Sequence, residues 1–528
     1  MGDMLDKIRL IEERRAHIQE MGGAKEVAWQ HEMGKLTIRE RLDKLFDKGT
    51  FEESGLFVRA GKTGFDIDNR EIPADGFVAG TGKINGRPAI AEGNDYTVLR
   101  GSGGTEKGTF EMAIEHRIPY IVVMDTSAAR MQSAFSKRGG RAAGGTTGGN
   151  LSALGFRYML SGVVPQITLM LGPMYAGMAY NPIQCDFVIM RDEIGYMSVT
   201  NPAVLKSVTF QDVGREELGG ARMHATVSGT CDVLTQSDEE TIEVCRELLS
   251  YLPLNNSERP PFVDTGDDPN RRDDRLREIV PADLSKPYDM HEVIRCIVDN
   301  GKFLEIQALY AKSLIMGFAR LNGQTVGIVA NNPAEDEGVL TINTCDKQAR
   351  FIRFCDCFHI PLVFLADTCG FLPNRDEEES REGILRHVPR AVFAICEATV
   401  PMISVYIGKC FGPARLIMGN RGMGVDYVYS WPSAQVARMK PEEAVEIIYK
   451  EEISSSKEPD KVRREKLAEL LKDYINYPYH AAEQLLVNEI IDPRDTRANL
   501  IATLESLAHK EATLFGRTAW KKHSLMPR

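Results

Sequence analysis

Apolar and polar positions along this chain of 528 residues fall into two long passages that repeat each other. In the first, a helical stretch from Thr109 to Glu115 precedes a continuous apolar run opened by proline, Ile118-Pro119-Tyr120-Ile121-Val122-Val123-Met124, which ends at Asp125-Thr126. In the second, helical Gln348 to Phe358 leads to Ile360-Pro361-Leu362-Val363-Phe364-Leu365-Ala366 and Asp367-Thr368, with the two aspartates 242 positions apart. Continuous apolar runs of this length predict strands buried on both faces, and their alternation with helices predicts an α/β fold.

Two further echoes flank this one. Upstream, Gly82-Lys83-Ile84-Asn85-Gly86-Arg87 before Ala89-Ile90-Ala91 returns as Ala319-Arg320-Leu321-Asn322-Gly323-Gln324 before Val326-Gly327-Ile328-Val329. Each Asn-Gly predicts a β-hairpin turn. Downstream, Val164-Pro165-Gln166-Ile167-Thr168-Leu169 returns as Val400-Pro401-Met402-Ile403-Ser404-Val405, ending in Gly172 and Gly408, 236 positions apart. Three echoes in one order at nearly constant offset predict two homologous α/β domains. The first is expected over residues 1–262, with an N-terminal helical segment in which Thr37-x-x-Glu40 before Leu42 and Leu45 reads as a capping box. The second is expected over 270–528. The boundary falls within Asn255 to Arg275, where Ser257, Pro260, Pro261, Gly266 and Pro269 sit among charges and no periodicity survives.

Composition narrows the function classes. With 43% hydrophobic and 26% charged residues the chain is expected to fold throughout, and a net charge of −11 argues against broad nucleic-acid binding. The start, where apolar Met4, Ile8, Ile11 and Ile18 alternate with charges, is unlike a secretory signal. No apolar run reaches the roughly 18 residues of a membrane span. A cytoplasmic protein is expected, or one of the mitochondrial matrix if the source is eukaryotic and the chain processed. Ten cysteines without a C-x-x-C pair predict reduced thiols, with no zinc ribbon and no bound metal.

Candidate chemistry lies at the strand ends. Asp125-Thr126-Ser127-Ala128-Ala129-Arg130 follows one strand, and Gly172-Pro173-Met174-Tyr175-Ala176-Gly177-Met178-Ala179 follows the next. Small residues at a strand-to-helix junction let backbone N–H groups approach a ligand oxygen, and a helix start adds partial positive charge, as an oxyanion hole requires. Tight packing of helix on sheet is the alternative. The glycine-rich basic segment Lys137 to Gly145 suits either contact with the phosphates of a ligand or a surface loop. It lacks the G-x-x-x-x-G-K-[ST] spacing of nucleotide hydrolysis. Cys369 and His387 make a weak nucleophile-and-base pair, for which buried packing is the plainer reading.

Longer motifs carry a resemblance. Gly34-Lys35-Leu36-Thr37-x-Arg39-Glu40-Arg41, Leu160-Ser161-Gly162-Val163-Val164-Pro165-Gln166-Ile167 and Glu217-Leu218-Gly219-Gly220-Ala221 stand in the first half. Ala349-Arg350-Phe351-Ile352-Arg353-Phe354-Cys355-Asp356, Gly370-Phe371-Leu372-Pro373 and Tyr429-Ser430-Trp431-Pro432-Ser433-Ala434 stand in the second. Over nearly its whole length the chain resembles the carboxyltransferase family of biotin-dependent enzymes. The resemblance implies two crotonase-like (ClpP/crotonase) domains in tandem and a hexamer built as a trimer of dimers. Active sites would form between the N-terminal domain of one subunit and the C-terminal domain of its partner, acyl-CoA on the former and carboxybiotin on the latter. It further implies that main-chain amides, rather than acidic or basic side chains, hold an oxyanion on the thioester and another on the biotin ureido oxygen. Carried over by position, Ala176 and Gly177 would form the thioester hole, with Ser127, Ala128, Ala129, Tyr175 and Met178 around the acyl group. Gly412, Pro413 and Ala414, beside Phe411, would form the biotin hole, and Arg130 would hold local backbone or make a structural ion pair.

This chain departs from the family pattern in places. Asp-Ser-Gly-Gly-Ala-Arg becomes Asp125-Thr126-Ser127-Ala128-Ala129-Arg130, and Tyr175 and Met178 enter the second turn. Pro413 stands where the family has a glycine, and proline has no N–H to donate. The usual Pro-Gly before Phe-Leu-Pro is altered at Cys369-Gly370, and an acidic run from Arg375 to Glu382 reads as a solvated loop. No Ala-Met-Lys-Met biotinylation site is present, since Ala437-Arg438-Met439-Lys440-Pro441 reads as a helix start with proline at its first position. Biotin is therefore expected on a separate carrier protein charged by a biotin carboxylase subunit. The leading expectation is a carboxyltransferase subunit that moves a carboxyl group between carboxybiotin and the α or vinylogous carbon of an acyl-CoA. A biotin-independent crotonase-type hydrolase or decarboxylase, motivated by Pro413, and a non-catalytic assembly paralogue remain as alternatives.

Overall fold

Asn85 and Asn322 adopt φ of +52° and +49°, followed by Gly86 and Gly323 at +76° and +77°. Two consecutive left-handed residues make the tight turn whose twist matches that of paired strands. Each turn closes a long antiparallel hairpin, and a sheet grows outward from it. The computed structural model describes residues 3–102, 107–127, 130, 132, 153–372, 383–475 and 477–510. These divide into two compact units, one up to Glu258 and one from Arg259 onward.

In the first unit the strands are β1 (Glu52–Ser54), β2 (Phe77–Ile84), β3 (Arg87–Asn94), β4 (Tyr120–Met124), β5 (Gln166–Met170), β6 (Pro173–Tyr175), β7 (Phe187–Arg191), β8 (Tyr196–Ser198) and β9 (Val233–Thr235). The sheet order is β1-β2-β3-β4-β5-β7-β9, antiparallel as far as β3 and parallel thereafter, while β6 and β8 form a separate parallel ribbon. In the second unit the strands are β10 (Phe303–Glu305), β11 (Leu314–Leu321), β12 (Gln324–Asn331), β13 (Leu362–Thr368), β14 (Met402–Phe411), β15 (Tyr427–Ser430), β16 (Gln435–Ala437) and β17 (Glu489–Ile490). Their order is β10-β11-β12-β13-β14-β15-β17, with β16 paired to the far end of β14. The two sheets match strand for strand, and the long β14 does in one piece what β5 and β6 do in two.

Every residue of β4 and β13 is buried, which explains why both runs lack polar alternation. The helices that precede them are Thr109–His116 and Ile342–Cys357. The second begins six residues before the expected Gln348, because Thr341 and Thr344 form a capping box there. The Thr37–Glu40 capping box forms as expected and starts helix Ile38–Leu45. Pro441 opens helix Pro441–Ile448. The N-terminal helix Met4–Gln19 buries none of its residues, so Met4, Leu5, Ile8 and Ile11 stay exposed.

One ion cluster ties a helix of the second unit to its edge strand. Asp289 caps helix Met290–Ile297 and meets His291 Nδ1 at 2.6 Å, while Glu305 of β10 meets His291 Nε2 at 2.8 Å. The hydrogen bond to Glu305 leads in lifting the imidazole above its usual value of 6.5, with charge from Glu305 and Asp289 adding to it against the opposing effect of burial. A folded-state value above the unfolded one contributes stability that is complete below the unfolded pKa and lost as pH rises through the folded one. Thermal unfolding of the wild type against His291→Gln should therefore show a stability difference that shrinks as pH is raised from about 6 to about 8. A difference that grew with pH would contradict the charged state of His291.

Candidate active site

Each unit carries the same turn at the end of its central strands. In the first, Tyr175 pairs with Ser198, Ala176 turns the chain at φ +56°, and a short 3₁₀ helix, Ala176–Ala179, follows without a side-chain cap. In the second, Phe411 pairs with Ala437, Gly412 turns at φ +64°, and Ala414–Ile417 follows, also without a side-chain cap. The first amides of such helices have no intrahelical acceptor, so they are available to a ligand oxygen. Ala176 and Gly177 are exposed, and no atom lies within 4 Å of where a Gly177 side chain would begin. In the second turn, the Gly412 N–H donates to the Ala437 carbonyl at 3.0 Å. Pro413 has no N–H, so the next amide of that turn is that of Ala414, a residue that is buried, unlike Ala176 and Gly177.

Behind each turn lies a buried aspartate. A β-carbon on Gly172 would stand 1.9 Å from Asp125 Oδ1, and one on Gly408 would stand 2.1 Å from Asp367 Oδ2, so both strands need glycine there. The two carboxylates are satisfied differently. Asp125 receives Lys35 Nζ at 2.6 Å and Arg41 Nη1 at 2.8 Å. Arg41 continues through Nε to Asp238, which also takes Arg191 at 2.6 Å. Burial lowers the Lys35 ammonium pKa, and the Asp125 charge opposes that shift. Asp367 instead accepts from the Tyr288 hydroxyl at 2.7 Å and the Lys409 N–H at 2.9 Å. Burial raises its carboxyl to about 6.

A second repeated device closes over these aspartates. Leu99-Arg100-Gly101 and Asp336-Glu337-Gly338 each hold three successive left-handed residues, latched by Asn94 Nδ2 to the Gly101 carbonyl and Asn331 Nδ2 to the Gly338 carbonyl, both at 3.2 Å. A left-handed non-glycine costs on the order of 1–2 kcal/mol, so this geometry must be held from outside. It orients Arg100 so that its guanidinium stacks 3.6 Å over Trp29 and pairs with Glu26 at 2.7 Å. In the second unit it places Glu337 at the matching position.

The other expected residues fall as follows. Ser127 is half-buried and bonded through N–H and Oγ to the Arg100 carbonyl. Tyr175 is half-buried against Tyr196, with ring centroids 5.1 Å apart, and Met178 is half-buried beside the turn. Arg130 holds Asp75 at 2.7 Å and the Ser102 carbonyl at 2.8 Å, a backbone clamp. Ala128, Ala129, the segment Lys137 to Gly145 and the acidic run from Arg375 to Glu382 lie outside the described residues. Cys369 and His387 have separate partners: the thiol donates to Glu337 at 2.7 Å, and the imidazole pairs with Asp346 at 2.8 Å. Burial pushes the Cys369 thiol up to about 11, the wrong direction for a nucleophile. Sequence reading gave no role to Lys35, Arg41, Glu337 or Lys409. The signal for the first two was the Gly34-Lys35-Leu36-Thr37 motif, but for Glu337 and Lys409 nothing local marked them. Among the described residues no group of three or more His, Cys, Asp or Glu could hold a metal ion, and no helix is long and apolar enough to cross a membrane.

Two matched α/β units, each ending its parallel strands at an uncapped turn of main-chain amides, define the tandem crotonase fold. The carboxyl transferase domain pattern matches residues 29–526. The methylmalonyl-CoA carboxyltransferase 12S subunit of Propionibacterium freudenreichii subsp. shermanii is 41% identical over 535 residues, spanning 99% of this chain and 98% of its own length. The methylmalonyl-CoA decarboxylase subunit alpha of Veillonella parvula is 40% identical over 532 residues and spans 100% of both chains. The crystal structure of the transcarboxylase 12S hexamer assembly with methylmalonyl-coenzyme A and methylmalonic acid bound superposes with a TM-score of 0.91, at 41% identity and coverage of 100% and 99%. The chain belongs to the carboxyl transferase family and is an acyl-CoA carboxyltransferase.

Proposed function

We propose that this chain is the carboxyltransferase subunit of a multi-subunit enzyme, moving a carboxyl group between biotin on a separate carrier protein and the α or vinylogous carbon of an acyl-CoA. The observation that carries this reading is the duplicated turn: one chain offers two main-chain donor sites of like geometry, as a reaction with two developing oxyanions requires. When bound, biotin supplies the transferable carboxyl group and a ring nitrogen that exchanges the α-proton. The chain's residues do the rest. The Ala176 and Gly177 amides hold the thioester oxygen, worth roughly 3 kcal/mol of barrier per donor. Tyr175, Met178 and Ser127 border the acyl group, with Ala128 and Ala129 assigned to the same wall by position. On the biotin side the Ala414 amide is the donor for the ureido oxygen, with Gly412, Pro413 and Phe411 shaping the turn. An amide at a helix start suits an oxygen that gains negative charge as the carboxyl group leaves.

By the same reading the protein works as a homo-hexamer, a trimer of dimers, alongside a biotin carboxyl carrier protein and a biotin carboxylase subunit. Ten free cysteines, nine of them buried, suit the reducing cytoplasm. The missing donor at Pro413 favours a second reading, a biotin-independent thioester hydrolase or decarboxylase. One assay separates the two: the purified full chain is given a panel of acyl-CoA and carboxyacyl-CoA esters, with and without a biotinylated carrier domain. Carboxyl transfer that requires the carrier is expected. Ester consumption without the carrier would establish the second reading, and no turnover on any ester would overturn both.

A further inference from the structure

We infer that Lys409 is the cation that holds the carboxylate of N-carboxylated biotin in the second unit, and that Glu337 is its removable stand-in; this rests on reading that unit as the biotin side. Lys409 lies on β14, two residues before Phe411 and therefore on the same face of the strand. The Gly412 turn begins one residue later. Opposite it, Thr368 pairs with Cys410, and a β-carbon on Gly370 would stand 3.8 Å from the Phe411 carbonyl. The end of β13 and the turn are thus in contact, and Lys409, Cys369 and Glu337 stand at the foot of the turn.

The ion pair here is lopsided. The Lys409 side chain is only 11% exposed, whereas that of Glu337, its partner at 3.3 Å, is 60% exposed. A buried ammonium requires a counter-charge, but a carboxylate more than half in water has little to lose by leaving. Glu337 also accepts the Cys369 thiol at 2.7 Å, and Lys440 adds positive charge nearby. A thiol and an ammonium therefore converge on one carboxylate oxygen at the foot of the turn. An N-carboxylate has the charge and acceptor oxygens of the group that Glu337 supplies there. The ureido oxygen of such a ligand is assigned to the turn that follows Phe411, next along the chain from Lys409.

The first unit argues against a purely structural role. There the positions of Glu337, Cys369 and Lys409 are filled by Arg100, Ser127 and Pro173, which fold into the same turn without any lysine. The turn forms there without an ammonium at that strand position, although Lys35 brings one to Asp125 from elsewhere in the chain. Arg100 stands for Glu337 and an uncharged proline for Lys409, so the two otherwise matched sites differ in charge, as expected if they bind different ligands.

Equilibrium binding of carboxylated against plain biotin, measured on the full-length protein in the cold at alkaline pH, tests this without turnover. The wild type should prefer the carboxylated form. Lys409→Met should abolish that preference, weakening carboxybiotin binding by about tenfold to a hundredfold and leaving plain biotin nearly unchanged. Glu337→Gln should act in the opposite sense, tightening carboxybiotin binding by about two- to fivefold, because the competing counter-ion is gone. A structural salt bridge would make both variants weaker or both silent. Either result, or a wild type without preference for the carboxylated form, overturns the inference. Carrier-dependent transfer that persists in the face of such a result would leave the carboxyltransferase reading standing.

Discussion

Replacing Ala176-Gly177 by the Gly-Pro pair that stands at 412–413 should lower kcat for carboxyl transfer by roughly 10²–10³ while leaving the fold intact. The double change Ala176→Gly and Gly177→Pro installs in the first unit a backbone that the second unit already adopts, φ +64° at Gly412 and −70° at Pro413. Glycine at 176 is required, because a β-carbon in a left-handed residue immediately before proline would be crowded. No atom lies within 4 Å of where a β-carbon at 177 would stand, so the ring starts into open space. What disappears is one N–H. An unchanged kcat would mean that the Gly177 amide is not a donor in the transition state. A loss confined to KM would mean that it binds ground and transition states alike. The reciprocal Pro413→Gly restores a donor and should raise transfer from the biotin side. The thermal midpoint of the double variant should stay within a few degrees of the wild type.

The second large effect concerns stability. Asp125→Asn should cost about 3–5 kcal/mol, because it leaves Lys35 and Arg41 buried without their shared counter-ion. Its counterpart Asp367→Asn should cost no more than about 1 kcal/mol. There the Asn oxygen can still accept the Lys409 N–H, and its amide can donate to a rotated Tyr288 hydroxyl. Burial lifts this acid to about 6, so a neutral group is easier to accommodate here than at an aspartate shared by two buried cations. Hydrogen exchange at the amides of β4 and β13 reads the two units separately. Equal losses at the two positions would show that the cation pair around Asp125 is not what stabilises the first unit.

The contrast between those aspartates shows where the repeat in the sequence stops being informative. Strand for strand, the echoes around Asn85 and Asn322, Asp125 and Asp367, and Gly172 and Gly408 identified the duplicated α/β fold, since each is a local rule of pattern or turn chemistry. The same echoes aligned Ala176 with Gly412, and the left-handed φ at both positions is the shared feature of the two turns. Local rules could not say that one aspartate meets two cations and the other a phenol, because the partners come from Lys35 and Arg41 in one case and Tyr288 in the other, far away along the chain.

By itself, then, the sequence determined the two-unit architecture, the strand ends at which chemistry is possible, and the loss of one amide at Pro413. Hydrophobic period, Asn-Gly turns and the proline ring act within a few residues and are written in the order of the chain. Only the tertiary structure decided how the amides of the turns are placed, with Ala176 and Gly177 exposed, Gly412 bonded to Ala437 and Ala414 buried. It also decided that Glu337, Cys369 and Lys409, from three separate segments, meet at one turn. Charge, burial and counter-ion all depend on distance in space, and that distance is set by how the sheets fold and not by the spacing of residues along the chain.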